Sequence, residues 1–125
     1  MIEYLACDKY VIRCCVGIHP AWNLETQLYG GGCESSIAKN CGTIPVILVP
    51  AGNDSEGLKP GGDPVAILSL ARGNIKHNGI SIEFPDMKHG WVSREYPDLD
   101  ETVQRQEQEK AMHLCCEFIR THHKK

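Results

Sequence analysis

Two short segments of the chain each join an apolar run to a turn whose polar side chain suits acid–base chemistry. The first, residues 44–54, reads Ile-Pro-Val-Ile-Leu-Val-Pro-Ala-Gly-Asn-Asp and ends at Asp54. The second, residues 82–91, reads Ile-Glu-Phe-Pro-Asp-Met-Lys-His-Gly-Trp and contains His89. A carboxylate that orients a histidine, which then exchanges a proton with a nucleophile, makes up two parts of a catalytic triad. We therefore interpret Asp54 and His89 as a catalytic acid and base.

Each of these residues also has an ordinary structural interpretation. Asp54 could be a turn residue that bonds its own backbone, and a single histidine in a loop usually has no special role. The pair is more specific than either member, because acid followed by histidine is the chain order of α/β hydrolases. Asp63 is a second candidate acid, but a role as the N-cap of a helix already explains it.

Strands that alternate with helices are predicted to position these residues. Strands are predicted at 11–18, 46–49 and 80–84, and helices at about 2–7, 63–73 and 100–121. The run 46–49 lacks alternation, which indicates a parallel strand covered on both faces. The element order predicts an α/β fold with a small, mostly parallel sheet of about three strands flanked by helices.

The last predicted helix begins at Asp100 and has one apolar face. That face is predicted to consist of Val103, Ala111, Leu114, Cys115 and Phe118.

Functional groups gather at the carboxyl ends of the strands in an open parallel sheet. Three segments follow the predicted strands, at residues 19–22, 53–54 and 89–91, so we expect them at one edge of the sheet. The first segment starts with His19-Pro20, and His19 is a candidate substrate-binding residue.

Trp22 and Trp91 are candidate pocket walls that would exclude water from an acyl intermediate. Packing in the core is the commoner fate of tryptophan and stays open as the alternative. Arg94 is a candidate to bind a substrate carboxylate through its forked guanidinium, with an ordinary surface arginine as the alternative.

The composition indicates one globular domain. The chain has 125 residues, of which 42% are hydrophobic and 23% charged. The net charge of -3 provides no basic field for nucleic acid. No apolar run approaches a membrane span, and the first residues lack the features of a secretory signal. We expect a cytoplasmic protein that binds neither nucleic acid nor membrane.

The seven cysteines include adjacent pairs at residues 14–15 and 115–116. Such positions suit small buried hydrophobes better than a disulfide framework, which indicates a reducing compartment. There is no C-x-x-C motif, and the histidines at 113, 122 and 123 have no partner at ligand spacing. The sequence therefore predicts no metal site and no cofactor.

These motifs resemble the dienelactone hydrolases, a family of the α/β-hydrolase fold. The resemblance rests on residues 45–54, on residues 84–94 and on the strand end at His19-Pro20. It covers nearly the whole chain but only the second half of the family's domain. It implies that residues 1–125 are a partial domain, the C-terminal half of an α/β-hydrolase, which lacks the G-x-C-x-G elbow of the nucleophile.

The resemblance also implies an activity. That activity is the hydrolysis of an ester, lactone or thioester bond in a small molecule by nucleophilic catalysis. In the family, an arginine after the histidine binds a substrate carboxylate, and Arg94 is the matching residue here.

The cysteines of the chain are poor candidates for the nucleophile. Gly31-Gly32-Cys33-Glu34-Ser35 nearly matches the elbow, but no apolar strand precedes it and Asp54 follows it too closely. We therefore expect the nucleophile before residue 1 and expect the isolated chain to be nearly inactive. The alternative is a non-catalytic truncated or degenerate relative, an interaction module that self-associates through an uncovered sheet edge.

Overall fold

The computed structural model describes residues 13–21, 38, 44–71 and 80–123. Those residues form strands β1 (Cys15–Ile18) and β2 (Val46–Val49), a 3₁₀ turn (Glu56–Leu58), and helices α1 (Asp63–Ala71) and α2 (Glu101–His123). The protein has mixed α/β character, as predicted. The helix predicted at residues 2–7 lies outside the described residues.

β2 is covered on both faces. It pairs in parallel with β1, with Cys15 opposite Val46 and Ile18 opposite Val49. All four residues of β2 are buried. Because side chains alternate along a strand, its two faces contribute to two separate parts of the core. This confirms the interpretation of the unbroken apolar run.

The two parts of the core lie against different helices. The first joins β2 to α1 and consists of Ala38, Val46, Leu48, Leu58, Val65, Leu68 and Ile80. The second joins β2 to α2 and consists of Ile47, Val49, Ala51, Phe84, Met87, Trp91, Ala111 and Cys115. The sheet therefore lies between the helices, and its carboxyl edge is left for the turns that follow the strands.

The third predicted strand, residues 80–84, is not a regular strand. Ile82 N–H donates to the carbonyl of Leu48, and Phe84 N–H donates to the carbonyl of Pro50, both at 2.9 Å. In a parallel ladder, residue 50 would donate its own N–H to Ile82, but proline has none. The ladder is interrupted there, so the described sheet has two strands and a bridged segment (residues 80–84) instead of about three strands.

Proline also accounts for the short β1. The predicted strand began at residue 11, whereas β1 begins at Cys15, and residues 11 and 12 lie outside the described part. Cys15 N–H donates to the carbonyl of Pro45 at 2.8 Å. In a parallel ladder, residue 45 would also donate its own N–H to a carbonyl in the chain before Cys15. Proline has no N–H, so the ladder starts at Cys15.

The predicted helix starts are accurate to one residue. Asp100 caps α2, because its Oδ1 accepts the N–H of Val103 at 3.0 Å. α1 begins at Asp63 itself, and the carbonyl of Gly62 accepts the first helical bond, from Ala66 at 3.0 Å. No helix in the described residues is long and apolar enough to cross a membrane.

The predicted apolar face of α2 is wrong at one position. Val103 is 46% exposed, whereas its neighbour Gln104 is only 4% exposed. Gln104 lies on the same helix face as Ala111 and Cys115, both of which are buried. An amide therefore occupies an inward position at the start of this helix.

Gly52 lies where two backbone segments meet. Its N–H donates to the carbonyl of Met87 at 3.0 Å. A Cβ atom at this position would lie 1.9 Å from the carbonyl oxygen of Pro85, far inside van der Waals contact. Glycine is the residue that permits so close an approach of two backbones.

We expect Gly52→Ala to lower the free energy of unfolding by about 1–3 kcal/mol, the usual cost of overpacking. The added methyl group must push the turn after β2 away from the segment at Pro85. Urea denaturation followed by circular dichroism measures the loss. Gly17→Ala is the control, because the atoms nearest its Cβ would be side-chain atoms, of Leu48 at 3.1 Å and of Pro20 at 3.5 Å, instead of a backbone carbonyl. Equal losses in the two variants would contradict this account.

Candidate active site

Asp54 lies in the turn after β2, and its side chain is only 3% exposed. Its Oδ2 accepts the N–H of Ala51 at 2.7 Å, and its own N–H donates to the carbonyl of Ala51 at 3.0 Å. A buried carboxylate is costly unless it is hydrogen-bonded, and this turn supplies one of the bonds. The local turn role and a site role therefore coexist, because Oδ1 is left for another partner.

That partner is His89. Its Nδ1 lies 2.5 Å from Oδ1 of Asp54. A carboxylate only accepts, so Nδ1 carries the hydrogen and the neutral ring leaves Nε2 as its basic nitrogen. The His89 side chain is 41% exposed, so the imidazole connects a buried carboxylate to the surface. The predicted acid and base are thus in direct contact.

Two side chains also hold the backbone of His89. Oδ1 of Asn53 accepts the His89 N–H at 2.6 Å. The hydroxyl of Tyr96 donates to the His89 carbonyl. Tyr96 is fixed in turn by its own N–H, which donates to Oε1 of Gln104 at 3.3 Å.

Helix α2 holds the loop after His89 through amide side chains. Nε2 of Gln104 donates to the carbonyls of Trp91 at 3.0 Å and Arg94 at 2.5 Å. Nε2 of Gln108 donates to the same Trp91 carbonyl at 2.7 Å. The loop therefore has hydrogen-bond partners on a rigid element.

Sequence reasoning missed four of these supporting residues. They are Asn53, Tyr96, Gln104 and Gln108. The glutamines had a usable signal, since both lie at helical spacing from Ala111 and Cys115 on the inward face of α2. Asn53 was singled out only as part of the strand-end segment 53–54, with no supporting role, and no pattern indicated Tyr96.

His19 contacts the His89 ring. The two ring centroids lie 4.8 Å apart at an interplanar angle of 72°, which is an edge-to-face arrangement. His19 has a φ of 36°, a left-handed conformation that is strained for a residue with a side chain. Its N–H donates to the carbonyl of Val49 at 2.8 Å, which continues the pairing of β1 with β2.

The surroundings of His19 favour its neutral form. Burial lowers the pKa of His19, and the adjacent His89 lowers it further. The charge of Arg94 acts in the same direction, whereas Asp54 opposes it. His89 contacts both Asp54 and His19, so the three predicted strand-end segments meet at one edge of the sheet, as expected.

The two tryptophans have different outcomes. Trp22 lies outside the described residues. Trp91 has no exposed surface, and its ring lies 4.8 Å from that of Phe84 in the core. Gly90, with a φ of 91°, turns the chain inward directly after His89. Trp91 therefore packs in the core, which was the alternative interpretation, and its prediction as a pocket wall is wrong.

Arg94 lies on the surface close to the pair. A Cβ atom on Gly90 would be 3.2 Å from Cδ of Arg94, so the arginine side chain extends across the residue next to His89. Its effect on the pKa of His19 places its charge within electrostatic reach of the site. Binding of a substrate carboxylate by Arg94 stays a prediction.

The described cysteines lie elsewhere. Cys15 is at the amino end of β1, whereas His19 follows the carboxyl end. Cys115 is in the core, where burial raises the pKa of its thiol. Within the described part of the chain, no thiol or hydroxyl is hydrogen-bonded to Nε2 of His89. Cys33 lies outside that part.

The described residues contain no group of three or more histidine, cysteine, aspartate or glutamate side chains suited to a metal ion. Comparisons of the chain with models of known protein families, with curated proteins and with solved structures found no match in any of the three.

We expect His89→Gln to raise the pKa of His19 toward the ordinary value of about 6.5. Glutamine at residue 89 still shields His19 from solvent, but it removes the neighbouring charge that lowers the pKa of His19. Burial, the larger cause, remains, so the rise should be partial. Titration of the histidine ring signals by NMR measures it. The control Arg94→Met should give a smaller rise, and a fall in either variant would contradict the electrostatic account.

Proposed function

We propose that this chain provides the acid and base of a hydrolase of the dienelactone hydrolase type. Its substrates would be esters, lactones or thioesters of small molecules, and its domain would be the second half of an α/β-hydrolase. The observation that carries the proposal is the 2.5 Å bond between Asp54 and His89, with the carboxylate buried and the imidazole half-exposed. A catalytic triad requires of these two members a buried acid, an oriented histidine and an Nε2 open to a nucleophile, and no described side chain is hydrogen-bonded to Nε2 of His89.

In the proposed reaction, Nε2 of His89 accepts the proton of a cysteine thiol or serine hydroxyl that lies outside the described residues. The sulfur or oxygen of that residue bonds to the substrate carbonyl carbon. The ester bond then breaks, and His89 returns the proton to the leaving alcohol or thiol. Water cleaves the acyl-enzyme by the same exchange. Asp54 stabilises the imidazolium each time it forms.

The neighbours of the pair suit this chemistry. A neutral His19 beside His89 adds no second positive charge when His89 takes up a proton, so the imidazolium is not repelled. We propose that Arg94 attracts a substrate carboxylate to the exposed side of the pair, and that Trp22 helps enclose the site. The cysteine content fits the proposed cytoplasmic location.

An exogenous thiol tests the proposal without requiring the chain's own nucleophile. We expect the chain to accelerate cleavage of p-nitrophenyl acetate by β-mercaptoethanol, since Nε2 of His89 can accept the thiol proton. General-base catalysis contributes about 10²–10⁴-fold when the nucleophile is held in place. A freely diffusing thiol should therefore gain less, on the order of tenfold. The release of p-nitrophenolate measures the rate.

His89→Gln and Asp54→Asn should both reduce the rate to that of the thiol alone. His113→Gln is the matched control, because His113 is an exposed histidine on α2 away from the pair. A rate of thiol-dependent cleavage that is unchanged in His89→Gln would contradict the proposal. Turnover without added thiol that survives Cys33→Ala but not His89→Ala would refute a nucleophile located before residue 1.

The competing proposal is a non-catalytic interaction module that pairs through a sheet edge. It is favoured by the bridged segment (residues 80–84). The Ile82 and Phe84 amides of this segment bind the carbonyls of Leu48 in β2 and of Pro50 just after it, while alternate backbone groups face the other side. An open groove of about 460 Å³ lies beside this segment and is lined by Ile82, Phe84 and Leu114, among others.

If this edge mediates self-association, light scattering should detect a dimer, and Glu83→Pro should dissociate it by removing an outward N–H. Serine in place of Glu83 is the control that keeps the N–H. A monomer at all concentrations would contradict the interaction module.

A further inference from the structure

Two consecutive side chains bind the same histidine. Oδ1 of Asn53 accepts the backbone N–H of His89 at 2.6 Å, and Oδ1 of Asp54 lies 2.5 Å from the ring Nδ1. Asparagine in a turn commonly bonds its own backbone two residues on. Here its oxygen instead binds a residue 36 positions away in sequence. The bond therefore joins the turn after β2 to the loop that contains His89.

The two bonds constrain different degrees of freedom. The Asp54 bond sets the rotation and the tautomer of the ring, but it does not fix the backbone from which the ring extends. The Asn53 bond fixes that backbone at the N–H, and Tyr96 binds the carbonyl on the other side. Catalytic groups must be held within a fraction of an ångström, so both constraints matter for Nε2.

The chemistry of the amide suits this role. Asn53 is exposed, and its oxygen is neutral, so it can bind the N–H without adding charge beside the pair. A second carboxylate in its place would provide the same acceptor but would also attract a proton to His89.

We propose that Asn53 is a positioning residue for His89, which it holds by the backbone so that the Asp54 bond determines the direction of Nε2. The proposal deepens the proposed function and rests on it only for the identity of His89 as the base. Asn53 contacts no substrate in this role and acts through the histidine alone.

The test compares Asn53→Ala, which removes the acceptor, with Asn53→Asp, which keeps an oxygen in the same place. Three measurements follow His89 without requiring hydrolysis. Amide hydrogen exchange reports the backbone bond, ¹⁵N NMR reports the ring tautomer, and peptide mass spectrometry reports the rate at which diethyl pyrocarbonate modifies the ring.

In Asn53→Ala, we expect exchange of the His89 amide to accelerate about tenfold, the size of one lost hydrogen bond. The ring should populate the Nε2–H tautomer, and its rate of modification should change. Exchange of the Ile82 and Phe84 amides should stay as in the unaltered chain. Asn53→Asp should restore protection of the His89 amide. Ser93→Ala is the control within the loop, since its hydroxyl makes only a 3.3 Å contact with the carbonyl of Gly90.

Two results would overturn the positioning role. One is an unchanged tautomer and modification rate in Asn53→Ala. The other is an equal loss of protection at Ile82 and Phe84, which would indicate a general structural role. If the His89 effects occur but the thiol-dependent cleavage of p-nitrophenyl acetate is absent, the proposed hydrolase function fails and the positioning role stands.

Discussion

The close approach of the Asp54 turn to the His89 loop rests on backbone atoms at Gly52 as well as on the side chains of Asn53 and Asp54, and the geometry of the candidate site depends on it. Gly52 donates its N–H to Met87 and lies against the carbonyl of Pro85. A Cβ atom on Gly52 would lie 1.9 Å from the carbonyl oxygen of Pro85, so a side chain there must push the two segments apart. The contact between Asp54 and His89 therefore depends on a glycine at residue 52, in the turn between β2 and Asp54.

Helix α2 contributes to the site by two kinds of interaction at once. Its buried Ala111 and Cys115 pack beneath the sheet, and its Gln104 satisfies backbone carbonyls of the loop after His89. A backbone carbonyl that is buried without a hydrogen-bond partner is costly, so the buried part of the loop at Trp91 needs a donor. The inward amides supply those partners. The helix therefore supports the position of His89 even though it contributes no residue to the pair.

The sequence was informative about elements with a strong local signal and about residues at strand ends. The apolar run of β2, the Asp100 cap and the meeting of His19, Asp54 and His89 at one edge all followed from periodicity and topology. The irregularity of the predicted third strand, residues 80–84, did not follow. Pro50 interrupts the ladder only because it lies opposite Ile82, and the sequence does not show which residues pair. The bond from the His89 amide to Asn53 was not predictable either, since it joins residues 36 positions apart, and no pattern singled out Tyr96. The burial of Trp91 was left open because a turn at Gly90 decides it.

The adjacency of Asn53 and Asp54 has a mechanical consequence. The two acceptors that bind the His89 amide and ring belong to one tight turn, so that turn sets the backbone position and the ring direction of the histidine together. A distortion of this turn would therefore disturb the amide bond and the ring bond of His89 together, and neither bond can be lost alone by a movement of the turn.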